Sequence, residues 1–237
     1  MTSMTMVPLR RSFGLTLVEL LVVMAVLSLL TAGIVPGLTA QVRRAKILDT
    51  QQEITTLRDA LRLYYEDLDA FPPTGTLQAL IDPAPLPWRG PYIISTRTPL
   101  DYRQDAWDVA YDYAVTSVTP PIARVTSAGP DRSLVATADN ITQEVAAQDL
   151  RMAKIRRVQA ELEVIARAAQ TYAVANSGYP AAIGDLYGPP PYLWDESYRT
   201  DAWGNNYVRA GAGPAGRQFK SYGPDGVNGG GDDIFPF

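Results

Sequence analysis

The 237-residue chain contains no cysteine and no histidine. The usual zinc sites, thiol redox chemistry and Ser-His-Asp or Cys-His activation of a nucleophile are therefore all excluded. An excess of positive charge is missing too. Lys and Arg number 21 against 25 Asp and Glu, for a net charge of -4, and no basic stripe with interleaved aromatics appears, so no nucleic-acid partner is expected. No P-loop pattern offers a place for nucleotide. What remains is 46% hydrophobic and 19% charged, a composition of packed domains rather than of disorder.

The N-terminus carries the sharpest pattern. Met1 to Gly14 is a short leader with Arg10 and Arg11 and no acid, and from Leu20 to Leu38 come 19 residues without a charge. As a helix at about 1.5 Å per residue, that run covers roughly the 30 Å of a bilayer core. A removable signal peptide has a shorter apolar core and a small-residue cleavage site, neither of which is present. Arg10-Arg11-Ser12-Phe13 offers the competing reading, a twin-arginine export signal.

Gly14-Leu15-Thr16-Leu17-Val18-Glu19-Leu20-Leu21-Val22-Val23 resembles the leader and N-terminal helix of type IV pilins and of the pseudopilins of type II secretion. The resemblance implies cleavage by a prepilin peptidase between Gly14 and Leu15, methylation of the new N-terminus, and Glu19 as the fifth mature residue. Pro36 falls where these proteins commonly carry a helix-distorting proline. Leu15 departs from the more frequent Phe or Met. A carboxylate at the edge of hydrocarbon is costly and usually has a partner. The amine freed at Leu15, in the same or a neighbouring subunit, would be that partner, which makes Glu19 the candidate assembly residue. The plainer reading of Glu19 is a side chain snorkelling to the interface.

Beyond the apolar run, Ile47, Ile54, Leu57, Leu61, Tyr64 and Leu68 recur at helical spacings. Ile155, Val158, Leu162, Ile165, Ala169 and Tyr172 repeat the pattern, and Tyr64 precedes Pro72 by the interval that separates Tyr172 from Pro180. Asp105-Ala106-Trp107 with Tyr111 is answered by Asp201-Ala202-Trp203 with Tyr207. Ser127-Ala128-Gly129-Pro130-Asp131 is answered by Ser221-Tyr222-Gly223-Pro224-Asp225, and Asp139-Asn140-Ile141 by Asp232-Asp233-Ile234. Landmarks in one order twice over read as an internal duplication. The expected organisation is a leader at 1–14, a transmembrane and assembly helix at 15–39, and globular domains at 40–144 and 145–237. Each domain reads as α+β, a helix packed on a small antiparallel sheet, with strands expected at Ala110 to Val118 and Gln218 to Tyr222.

The second copy resembles the globular domain of the major pseudopilin of type II secretion, through Asp201-Ala202-Trp203-Gly204, Tyr207, Ser221 to Gly226 and Gly229-Gly230-Gly231-Asp232-Asp233-Ile234. In the first copy Asp108 stands in place of Gly204, and the closing loop at 132–138 lacks the glycines. The family normally has one such domain, so the duplication is the main departure. The resemblance implies a calcium ion in the closing loop. Asp225, Asp232 and Asp233 supply hard oxygens suited to it, and Asp131, Asp139 and Asn140 are the weaker candidates in the first copy. A solvated Asp/Gly turn is the simpler account.

Trp107 and Trp203 read as core residues of a small sheet. Glu66-Asp67 and Asp195-Glu196 read as solvated acids without a cleft, so no enzymatic activity is expected. The resulting expectation is a single-pass inner-membrane pseudopilin with periplasmic domains. Its implied partners are prepilin peptidase, further copies of itself in a homo-oligomeric filament, and an inner-membrane assembly platform; subunits lie in the membrane before assembly. The alternatives are a minor type IV or competence pilin, and a twin-arginine-exported periplasmic calcium-binding protein.

Overall fold

A computed structural model of the chain describes residues 16–82, 87–93, 101–135, 138–211 and 219–236. Its first element is a single helix, α1, from Leu17 to Leu68. At about 1.5 Å per residue, its 52 residues extend roughly 80 Å. Thr16 caps its start, the hydroxyl accepting from the Glu19 N–H at 3.3 Å. Asp69 ends it in the left-handed conformation (φ 52°), its N–H donating to the Tyr65 carbonyl at 2.9 Å. The two ends of α1 have different surroundings. From Leu17 to Leu27 the large apolar side chains are exposed, whereas Ile54, Leu57, Leu61 and Tyr65 form one buried stripe.

That stripe lies on a three-stranded antiparallel sheet, β1 (Asp112–Val115), β2 (Ile122–Ser127) and β3 (Ile141–Ala146), in the order β1-β2-β3. Tyr113 opposes Val125 and Ala123 opposes Val145, and these four are buried with α1 in one core. Leu57 is fully buried there; its truncation to Ala would cost about 2–5 kcal/mol. β1 is shorter than the strand expected at Ala110 to Val118. Ala110 is held by an isolated bridge to Gln104, and after Val115 the chain turns back through Pro120 and Pro121, closed by the Thr116 N–H on the Ile122 carbonyl at 2.9 Å. β3 occupies a stretch read from sequence as a boundary between domains.

β3 passes directly into the second helix, α2 (Ala147–Asn176). A two-stranded antiparallel pair follows, β4 (Val208–Arg209) and β5 (Phe219–Lys220), extended by a bridge between Ser221 and Ile234. Val158, Leu162, Ile165 and Ala169 of α2 pack with Leu186, Tyr207, Phe219 and Ile234 in a second core. The architecture is α+β, as expected.

Among the described residues no helix is long and apolar enough to cross a membrane. The spanning role expected of Leu20 to Leu38 therefore rests on the sequence, 19 consecutive residues without charge. Gly14 and Leu15, the expected processing residues, lie outside the described residues.

Candidate functional site

Each core closes on a turn organised by one buried carboxylate. Asp201 Oδ1 accepts from the N–H groups of Trp203 and Asn205, both at 2.9 Å, and Oδ2 accepts from Ser221 Oγ at 2.6 Å. Ser221 Oγ in turn accepts from the Gly223 N–H at 2.9 Å. Asp105 does the same with Trp107 and Val109, each at 3.0 Å, and with Ser127 at 2.6 Å, while Gly129 donates to Ser127 at 3.0 Å. The repeated Asp-Ala-Trp and Ser-x-Gly-Pro-Asp segments are thus two halves of one hydrogen-bonded corner. Its acceptor, the Asp at the head of each first segment, was visible in the sequence only as a repeated letter.

Glycine is required next to that corner. Gly129 and Gly223 have φ of 69° and 71°, and a Cβ there would collide with the carbonyl oxygens of Asp139 and Asp232. Asp108 and Gly204 both adopt positive φ, 64° and 86°, so the sequence difference at this position preserves the backbone conformation.

The second closing loop gathers the acids expected to hold calcium, but unequally. Asp232 Oδ2 accepts from the Asp225 N–H at 3.2 Å, and Asp225 Oδ1 from the Val227 N–H at 2.8 Å. Asp225 Oδ2 and Asp232 Oδ1 flank Gly230, where a Cβ would collide with the first and lie 2.8 Å from the second. Asp233 is turned onto Lys220: its Oδ2 accepts from Nζ at 2.6 Å and from the Gly229 N–H at 3.2 Å. Lys220 also donates to Asn228 Oδ1. The ammonium beside it holds the Asp233 carboxyl below the ordinary range. Two oxygens, Oδ1 of Asp232 and Oδ1 of Asp233, are buried with no hydrogen-bond partner. Among the described residues no group of three or more acidic side chains is arranged to hold a metal ion. The two unpartnered carboxylate oxygens are of the hard donor type that a calcium ion takes.

The first closing loop has the same skeleton and a different centre. Asp139 Oδ2 accepts from the Asp131 N–H at 3.1 Å, and Asp131 Oδ1 from the Ser133 N–H at 2.8 Å. With the Asn140 amide in the orientation that satisfies both its ends, its nitrogen donates to the carbonyls of Ser133 and Ala128, each at 3.1 Å. A side-chain donor thus occupies carbonyl oxygens of the kind that a cation would draw on.

Glu19 is exposed in the first turn of α1, placed favourably for the positive end of the helix dipole. Of the paired acids elsewhere, Asp67, Asp195 and Glu196 are engaged in structure. Asp67 Oδ2 accepts from the Tyr92 hydroxyl at 2.7 Å and from the Arg89 N–H at 3.2 Å. Asp195 caps the Ser197 N–H at 2.9 Å, and Glu196 pairs with Arg199. Two buried phenols also meet carboxylates, Tyr111 on Glu53 at 2.9 Å and Tyr207 on Glu161 at 2.6 Å. Burial first, and the neighbouring carboxylate second, push both phenols well above the ordinary tyrosine range.

The family described as type II secretion system, protein G, matches the chain twice, over residues 37–143 and again over 145–235. The prokaryotic N-terminal methylation motif matches residues 9–35. No curated protein and no solved structure matches the chain. A prepilin-type N-terminus, followed by two stretches that each match the same family and repeat one buried Asp–Ser corner, leaves a single assignment: the chain belongs to the type II secretion system protein G family and is a pseudopilin subunit, a structural part of the filament of that system.

Proposed function

We propose that this pseudopilin is a tandem version of the subunit, cut between Gly14 and Leu15, held in the inner membrane by the N-terminal part of α1, and carrying two globular domains in the periplasm. The repeated corner supports the tandem reading. Asp105 with Ser127 and Asp201 with Ser221 make the same bonds at the same lengths in both halves, and geometry of that kind follows from copying a unit. The uncharged run from Leu20 to Leu38 supports the anchor, being about as long as a bilayer core is thick. Assembly then moves this segment from lipid into a bundle of like helices, with Glu19 and the new amine of Leu15 pairing to set the register. The chain works with prepilin peptidase and an inner-membrane platform and joins other copies of itself.

The second closing loop is our candidate calcium site, with Asp225, Asp232 and Asp233 as the carboxylate donors. Bound there, calcium would neutralise clustered acids and stiffen a glycine-rich turn with little apolar content of its own. Its strongest support is the pair of buried, unpartnered oxygens on Asp232 and Asp233. In the first loop Asp131 and Asp139 are arranged similarly, but the Asn140 amide supplies the closing contacts itself.

The deciding experiment for the reading as a whole is the intact mass and N-terminal sequence of the protein taken from membranes of a host with a prepilin peptidase. A start at Leu15 with one added methyl is expected. A start beyond Leu38 would overturn the anchor and leave an exported soluble protein.

A further inference from the structure

The two cores share one helix. Ala147 and Leu150, in the first turn of α2, are buried in the first core with Ile54, Leu57 and Val145, whereas Val158, Leu162 and Ile165 further along belong to the second. The Ala147 N–H donates to the Pro121 carbonyl at 3.0 Å, tying the start of α2 to the first sheet.

Beside that shared helix, the C-terminal end of α1 meets α2 through two polar contacts. Lys154 Nζ donates to Asp69 Oδ1 at 2.9 Å, and Arg151 Nε donates to the Tyr65 hydroxyl at 3.1 Å. Lys154 is only 9% exposed, and its ammonium also lies 5.8 Å from the centre of the Trp203 ring. One cation therefore touches an acid of the first half and an aromatic face of the second. A buried ammonium is tolerated only with such partners.

The contact is not a by-product of repetition, because α2 lacks the groups with which α1 makes it. The helices align without gaps: Lys46 with Lys154, Glu53 with Glu161, Tyr64 with Tyr172, and the left-handed C-caps Asp69 and Ser177 with each other. In this register both cations are present twice, as Arg43 and Lys46 in α1 and as Arg151 and Lys154 in α2. Their acceptors are present once. Tyr65 becomes Ala173, and Asp69 becomes Ser177. The acceptors occur only on the helix whose end has a second unit packed beside it, and Lys46 turns instead to the Ala106 carbonyl of its own half, at 2.7 Å.

We infer that Asp69, Tyr65, Arg151 and Lys154 form a clasp that holds the two globular units as one rigid body around α2, so that the subunit adds both units to a fibre in a fixed relative orientation. A flexible tandem would leave Lys154 hydrated and Asp69 idle. A clasped one fixes the orientation of the second unit relative to the long helix. The inference goes beyond the secretion role and is independent of calcium and of processing at Gly14.

The chain's lack of cysteine allows a direct test. Spin labels on cysteines at the exposed positions Gln51 and Gln170, in the full chain in detergent micelles, report the distance between the two halves by pulsed dipolar spectroscopy. A narrow distribution is expected for the parent. It should broaden at least two-fold in Lys154→Met and in Asp69→Ser, the latter placing at the α1 cap the residue that α2 already carries there. Asp69→Ser is mild enough to leave the helix content unchanged, which circular dichroism checks. A broad parent distribution, or an unchanged width in both variants, overturns the clasp.

Discussion

Ser221 donates its hydroxyl proton to Asp201 across 2.6 Å at a point where both residues are buried. The bond connects a turn after α2 to the end of the last strand, so Asp201 acts as the keystone of the second unit. Asp201→Ala would strand two backbone N–H groups and a serine hydroxyl without an acceptor. An expected loss is about 3–5 kcal/mol, from several unsatisfied buried donors at about 1–3 kcal/mol each. Urea titration followed by tryptophan fluorescence measures it. A loss below about 1 kcal/mol would mean that water replaces the carboxylate with little penalty.

Calcium should stabilise the second unit. At a free concentration about 100 times the dissociation constant, a ligand contributes roughly 2.7 kcal/mol, which for a chain of this size raises the melting temperature by about 5–10 °C. Melting curves in calcium and in chelator should differ by that amount. Asp232→Asn should abolish the difference while leaving the chelator curve near that of the parent. Equal curves for the parent in both conditions would argue for a loop that needs no ion.

Alkaline pH probes the buried phenols. Tyr111 and Tyr207 have folded-state pKa values raised by burial and by Glu53 and Glu161, and Tyr113 is raised by burial. In the unfolded chain these groups ionise near the ordinary value of about 10. Below that pH both states keep the proton and stability is unaffected. Above it only the unfolded chain releases the protons, so stability falls as pH rises. The phenolate absorbance of Tyr111, Tyr113 and Tyr207 should therefore appear only together with loss of helix signal. Ionisation of these three near the ordinary value in a still-folded chain would contradict the burial.

Glu19→Ala should leave processing and membrane insertion intact and lower assembly. The residue is exposed in the isolated subunit, so the change leaves the buried cores untouched. Fibre yield, compared with the amount of processed subunit in membranes, separates the two effects. Unchanged yield would remove Glu19 from the assembly step.

Much of the architecture was legible because its causes are local. The stripe Ile54, Leu57, Leu61 follows the helical period and is buried as that period requires, and the paired Tyr64 and Tyr172 landmarks fall in the same helical register. β3 was missed. Ile141-Thr142-Gln143-Glu144-Val145-Ala146 follows an Asp-Asn turn and precedes a helix, and its short alternation is a weak signal until β2 supplies a partner. Asp201 and Asp105 show in the sequence only as repeats, since an aspartate becomes a buried acceptor only once distant N–H groups and a serine are folded around it.

Sequence alone determined the class of this protein: a prepilin-type N-terminal motif, a glutamate just before an uncharged run, and two ordered sets of landmarks are all one-dimensional patterns set by local chemistry. Tertiary structure decided how the acids divide their work. Asp233 turns to Lys220, the oxygens of Asp225 and Asp232 converge beside Gly230, the Asn140 amide closes the first loop, and Asp69 reaches Lys154 on a helix 85 positions further along the chain. Those partnerships depend on which charges burial brings within a few ångströms of one another, and hydrophobic packing settles that only when the cores form.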